Sequence, residues 1–321
     1  MHLRLSKELN SQTASMIEIH IESDEEACRE LWEQLIPPGQ LTDLWDVRAC
    51  FHKQFKRRLF FVVAQEAEEI VGFIPMSFVE EQNYYGYFPG EVWEGKTWLE
   101  QNRVIARDQD VLQQMFDWLL ENKVPYHLRY LHKNPQCPLN LFDEDEIGYL
   151  FHPESFHFRM EEYYSVFSKK TLKKIRREVD KLYKQNLIFR CGENNDFEEM
   201  VILNIERFGT RSYFANNQFV KSFRSLRDYL AQKGWLKMTT IMIDGRIAAV
   251  DMGCQYNGAY TLLSGATHSD YPGIAKVINL FHMEEACKKK YKEADFLCGD
   301  FFWKKLFHLT PRPLYKISNK I

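Results

Sequence analysis

Across residues 17–21 apolar and polar side chains alternate, the period of a half-buried strand, and across residues 24–35 the apolar positions return at spacings of three and four, the period of a helix. A second helix is predicted over residues 42–54. Strands follow over 59–65, 70–78 and the aromatic stretch 84–88, then a helix over 108–122 and a strand over 126–131. The order is β-α-α-β-β-β-α-β. Nearly the same order returns later: a strand over 160–167, a helix over 169–185, an extended segment over 187–191, and helices over 197–208 and 219–232. Three strands, 235–243, 246–255 and 259–266, are then joined by the tight turns Asp244-Gly245 and Asn257-Gly258, both hairpin signals. A helix over 274–290 and a strand over 294–298 close the pattern. Acidic residues and Pro153 interrupt it between Asp143 and Ser155. The expected division is therefore residues 1–152 and 153–321, two copies of one α/β plan.

Length agrees with that division, since 321 residues suit two domains of roughly 150. At 45% hydrophobic and 27% charged residues, with 15 Gly and 11 Pro, the composition is that of packed domains rather than of disorder or repeats. A formal net charge of −3 gives no general attraction to polyanions, so any grip on phosphate must be local. The seven cysteines, at 28, 50, 137, 191, 254, 287 and 298, have neither Cys-x-x-Cys nor zinc-type spacing and read as buried thiols with no metal. Residues 1–15 are polar and unlike a signal peptide, and no run approaches the ~20 apolar residues of a membrane span. The expectation is a cytoplasmic chain without a membrane partner.

Candidate chemistry concentrates in the second half. The strand over 259–266 runs through Thr267-His268-Ser269-Asp270-Tyr271-Pro272-Gly273 into a helix opened by small residues. The first N–H groups of a helix have no internal partner and carry the positive end of its dipole, so Gly273, Ile274, Ala275 and Lys276 outline a phosphate cradle. The same residues also suit an ordinary strand-to-helix turn. From Lys170, cations recur at 170, 174, 177, 181 and 184 while apolar residues fall at 172, 175, 179 and 182. That helix is either a solvated face over the core or a grip on phosphate, with Lys174, Arg176 and Arg177 as its contacts. Asp251 shares a strand face with Ala249 and Gly253, whose small side chains leave room for a substrate, and is a candidate general base or else a salt-bridged carboxylate. His268 at a strand end is a candidate acceptor contact or a hydrogen-bonded loop histidine. His268-Ser269-Asp270 is no hydrolase triad, because adjacent residues cannot adopt that geometry.

Gly90-Glu-Val-Trp-Glu-Gly95-Lys96-Thr97 matches the nucleotide-binding P-loop letter for letter. Glu91, Trp93 and Glu94 stand where close approach of phosphate needs small uncharged residues, and residues 98–102 lack a helical pattern, so the reading preferred is a loop lining a cleft between the halves.

Four features in order resemble the GNAT-like acetyltransferase superfamily, and within it the domain related to Fem-type peptidyl (aminoacyl) transferases. They are the basic start of the helix at Ser168–Glu178, the Asp244–Ala249 hairpin, the Pro272-Gly273 helix start, and Ala294–Asp300 followed by Trp303-Lys304. The resemblance implies two tandem GNAT-like α/β (α+β) domains, each a mixed, mostly antiparallel sheet flanked by helices, with a degenerate first domain shaping the acceptor site. It implies N- or O-acyl transfer to an amine or hydroxyl of a small-molecule or peptide acceptor, with acetyl-CoA or another acyl-CoA as donor. Lys304 is carried over as a catalytic residue near the reacting carbonyl, and Lys305 competes for that position. The family's donor loop is commonly Gln/Arg-x-x-Gly-x-Gly/Ala, whereas this chain has Asp270-x-x-Gly273-x-Ala275, an acid beside the expected pyrophosphate. The alternatives are an aminoacyl-tRNA donor, which makes tRNA a secondary partner, and a non-catalytic binding module.

Overall fold

The computed structural model describes residues 16–133, 141–299 and 301–319; Cys137 and Asp300 of the sequence motifs lie outside them. The first half contains β1 (Ile17–Glu22), α1 (Glu25–Leu35), α2 (Trp45–Phe55), β2 (Leu59–Glu66), β3 (Glu69–Val79), β4 (Tyr84–Tyr87), the short β5 (Ile105–Ala106), α3 (Gln109–Glu121) and β6 (Tyr126–Leu131). The second contains β7 (Asp143–Phe151), α4 (Met160–Ser165), α5 (Lys169–Tyr183), β8 (Leu187–Cys191), α6 (Asp196–Phe208), α7 (Asn217–Gln232), β9 (Leu236–Ile243), β10 (Arg246–Tyr256), β11 (Ala259–Thr267), α8 (Ile274–Lys288), β12 (Glu293–Asp295), α9 (Phe302–Leu306) and β13 (Thr310–Ser318). The class is the expected one, mixed and mostly antiparallel sheet flanked by helices.

The strands form one continuous sheet in the order β1-β2-β3-β4-β6-β13-β7-β12-β11-β10-β9-β8, with β5 beside β3. Each half repeats a meander followed by a parallel step, β4 with β6 and β11 with β12. The central strands are exchanged. β7, which follows the first half in sequence, pairs with β12, while the last strand, β13, runs back to pair with β6, and β7 and β13 pair with each other.

Two local expectations are corrected. Residues 143–151 were expected to break the pattern, yet they form β7 in the middle of the sheet; Asp145 and Glu146 are tolerated there because Arg129 of β6 reaches them at 2.6 and 3.2 Å. Residues 160–167 were expected to be a strand and contain α4 instead. Tyr163 and Phe167 lie one helical turn apart, with ring centroids separated by 5.2 Å, and Tyr163 is fully buried. A run of aromatics satisfies either period when its neighbours are few.

The halves also share side-chain packing. Phe51 of α2 stacks on Trp98 at 5.4 Å and meets Phe223 of α7 edge-on at 5.6 Å, within a cluster that continues through Phe197 and Phe219.

Candidate active site

β11 and β12 are parallel neighbours over only three residue pairs, from Ala259 with Glu293 to Thr261 with Asp295. Beyond them the strands part, and a cleft of about 480 Å³ opens between residues 262–267 on one side and 296–299 on the other, with Ala275, Ile278 and Asn279 of α8 beneath. Separating parallel strands expose backbone to a ligand instead of to each other, which is where open α/β sheets bind. The first half closes the cleft with Trp93, Trp98, Glu100 and Tyr130, and Glu146 of β7 joins them.

Asp251 lies on the floor, 4% exposed. Burial pushes its carboxyl up from the ordinary range, and the hydrogen bond with His282 offsets part of that rise. Gly265 is its cross-strand partner on β11, and a Cβ built on Gly265 would fall 2.1 Å from Asp251 Oδ1, so the carboxylate occupies the space that any side chain at 265 would need. Asp251 Oδ2 is 2.9 Å from His282 Nε2.

Lys304 reaches the cleft wall from α9 and is 2% exposed. Its ammonium donates to the carbonyls of Phe296, Leu297 and Cys298, each at 2.8 Å, which uses all three of its protons. Burial lowers it to about 8 despite the nearby carboxylates of Glu100, Asp295 and Glu146. Glu100 accepts the Cys298 N–H from the other side, and burial raises it to about 7. The two residues therefore grip opposite faces of one loop, in which Leu297 and Gly299 have φ of 56° and 105°.

The start of α8 is organised differently. Gly273 is its N-cap, with φ of 93°, a conformation that glycine adopts without strain. The N–H of Ile274 is bonded to the Tyr271 carbonyl and that of Lys276 to the Gly273 carbonyl. Ile274 is buried against α5 and the sheet, and Lys276 forms an ion pair with Glu178 of α5. Asp270 is exposed and lies 3.5 Å from the equally exposed Arg246. His268 accepts the Asp270 N–H on Nδ1 at 3.2 Å and is not among the residues lining the cleft.

Lys174, Arg176 and Arg177 are exposed on α5 and do not line the cleft either. Leu182 of the same helix lies 3.9 Å from a Cβ built on Gly273. Asp251, Ala275 and Lys304 thus meet at the cleft, whereas Gly273, Lys276 and the cationic helix meet at one end of α8. Sequence reasoning missed His282, Gly265, Glu100, Glu146 and Tyr130. Of these only His282 carried a signal, as a polar residue four positions after Ile278 on the apolar face of α8.

The Gly90–Thr97 loop is no phosphate cradle. Trp93 and Lys96 bond to each other's backbone, Glu91 points inward to accept the Trp98 and Leu99 N–H groups at 3.0 and 2.7 Å, and no helix follows Thr97. A carboxylate occupies the interior, and no helix dipole is aimed at it. Among the described residues no cluster of metal-ligating side chains occurs, and no helix is long and apolar enough to cross a membrane.

Residues 169–305 match the acetyltransferase (GNAT) domain family. No curated protein matches the chain. Among solved structures, a conserved protein of unknown function from Bacteroides thetaiotaomicron is 12% identical, with 94% of this chain and 100% of that chain covered and a TM-score of 0.60. FemX is 11% identical, covering 94% and 98%, with a TM-score of 0.57. The L-PGS of Bacillus licheniformis is 10% identical, covering 94% of each chain, with a TM-score of 0.56. At these identities the likeness is one of fold.

Proposed function

We propose, from the match of residues 169–305 to the acetyltransferase (GNAT) domain family, that the chain transfers an acyl group from acyl-CoA, acetyl-CoA first, to an amine or hydroxyl of a small-molecule or peptide acceptor in the cleft. The observation that carries this reading is the opening between β11 and β12, with a buried carboxylate on its floor and the N-terminus of α8 beside it. The donor's pantetheine arm runs along β11 into the opening. Its pyrophosphate meets the N–H groups of Gly273 and Ala275, since those of Ile274 and Lys276 are engaged within the turn. Asp251 is the base for the acceptor's proton. A first domain, residues 1–152 in this reading, supplies the acceptor wall through Trp93, Glu100 and Tyr130, and the protein works in the cytoplasm.

A second reading has aminoacyl-tRNA as donor. It is favoured by α5 and its C-cap, which from Lys169 to Lys184 hold eight cations against two acids, with Leu182 and Glu178 of the same stretch adjoining the start of α8. Phosphates of a tRNA end would lie against Lys174, Arg176 and Arg177.

Thermal-shift titration separates the two. Acyl-CoA is expected to stabilise the wild type by about 2.7 kcal/mol at a hundredfold excess over Kd, and Gly273→Tyr, strained at its positive φ and bulky at the cradle, abolishes that ligand-induced shift relative to its own ligand-free baseline. A shift with aminoacyl-tRNA at low but not high salt, lost when Lys174 and Arg177 become Ala, would transfer the donor role to tRNA. No shift with either donor leaves the chain a binding module.

A further inference from the structure

The cleft carboxylate is backed by a second layer. His282 projects from α8 under β10 and is 4% exposed; its Nε2 lies 2.9 Å from Asp251 Oδ2 and 3.3 Å from the Tyr260 hydroxyl. The Tyr260 ring stacks on the imidazole, with centroids 4.8 Å apart and planes at 26°. Room for this assembly comes from two glycines. A Cβ on Gly253 would fall 2.4 Å from the Tyr260 hydroxyl, and one on Gly265 would fall 2.1 Å from Asp251 Oδ1. Among the described residues, the titratable groups that bear on Tyr260, besides Asp251, are Cys254, Tyr291 and Cys191, and the one that bears on Asp251 is His282. With Asp251 ionised, its carboxylate is an acceptor only, and the 2.9 Å contact takes its proton from Nε2 of His282.

We propose that His282 is a positioning residue for the transfer, holding Asp251 as a carboxylate by donating Nε2–H to Oδ2, so that Oδ1 above Gly265 receives the acceptor's proton. This rests on Asp251 being the base in the reading above. As the acceptor nitrogen or oxygen attacks, its bond to the acyl carbon forms and its proton passes to Oδ1; the thioester C–S bond then breaks, and the proton returns from Oδ1 to the departing thiolate. The carboxylate is regenerated, and His282 never touches substrate.

The test compares wild type, His282→Leu and His282→Gln, the glutamine amide restoring an N–H donor near the position of Nε2. The pH profile of kcat/KM is expected to have its acid limb raised by about one pH unit or more in His282→Leu, with rate at neutral pH lowered at least about tenfold and acceptor KM little changed. Gln should recover most of both losses. Superimposable acid limbs in all three proteins, or a Gln variant as impaired as Leu when both unfold at the same temperature, would overturn the proposal. A readout independent of turnover is the carboxyl 13C titration of aspartate-labelled protein, with Asp251 assigned through Asp251→Asn. Its midpoint is expected to rise in His282→Leu, and an unmoved midpoint would overturn the proposal even if activity is never found. A wild type inactive with every donor would sink the functional reading while leaving this titration to decide the pairing.

Discussion

Asp251→Asn is expected to lower acyl transfer by on the order of 10²–10⁴-fold, the usual contribution of a positioned general base, while donor-induced thermal stabilisation stays within error of wild type. The amide keeps the shape of the carboxylate and removes its ability to take a proton, so the loss should fall on kcat rather than on donor affinity. Gly265→Ala should reproduce most of the effect without touching the acid. The new methyl would fall 2.1 Å from Asp251 Oδ1, and since Oδ2 is held by His282 the carboxylate must rotate away from the cleft or the strand must shift. Initial rates for both variants check this. Full activity in Asp251→Asn would show that the carboxylate is a structural partner of His282 and that solvent or another group takes the proton.

The relation between Asp251 and Gly265 shows why half of the site was hidden in the sequence. The Asn257-Gly258 turn was legible, and it pairs Tyr256 with Ala259 as expected. Counting back from that turn in strict register would set Asp251 opposite Ser264. A bulge between Met252 and Gly253 shifts the pairing by one, so Asp251 faces Gly265 instead. One extra residue in one strand changes which side chain shares a site, and no local pattern announces it. The same limit applied to the central strands. β7 and β13 pair with partners that sequence order does not suggest, and the acidic start of β7 reads as a linker until Arg129 is beside it. By contrast, α5, α7 and α8 and the meander of β9, β10 and β11 depend on period and turn chemistry within a few residues, and they fall within a few residues of expectation.

Lys304 carries the second large effect, and it concerns stability as well as rate. Its resemblance to a family lysine suggested contact with the reacting carbonyl, yet its three protons are held by the carbonyls of residues 296–298, which form one wall of the cleft. Lys304→Met keeps most of the aliphatic stem and strands three buried carbonyl acceptors, a change expected to cost about 3–5 kcal/mol. Denaturant unfolding measures the loss. The pH dependence identifies its origin. Because burial lowers Lys304 from 10.5 to about 8, the unfolded chain binds more protons than the folded one between those values, so this residue's contribution rises with pH across that window and is lost as pH falls toward 8. Glu100 has the opposite sign. Raised from 4.5 to about 7, it contributes stability below 4.5 that is lost as pH climbs through 7. Wild type should therefore gain on Lys304→Met between pH 8 and 10, and on Glu100→Gln as the pH drops from 7 to 5. Parallel stability curves for wild type and Lys304→Met above pH 8 would mean that the ammonium is not desolvated in the fold, leaving it available to a ligand in the cleft.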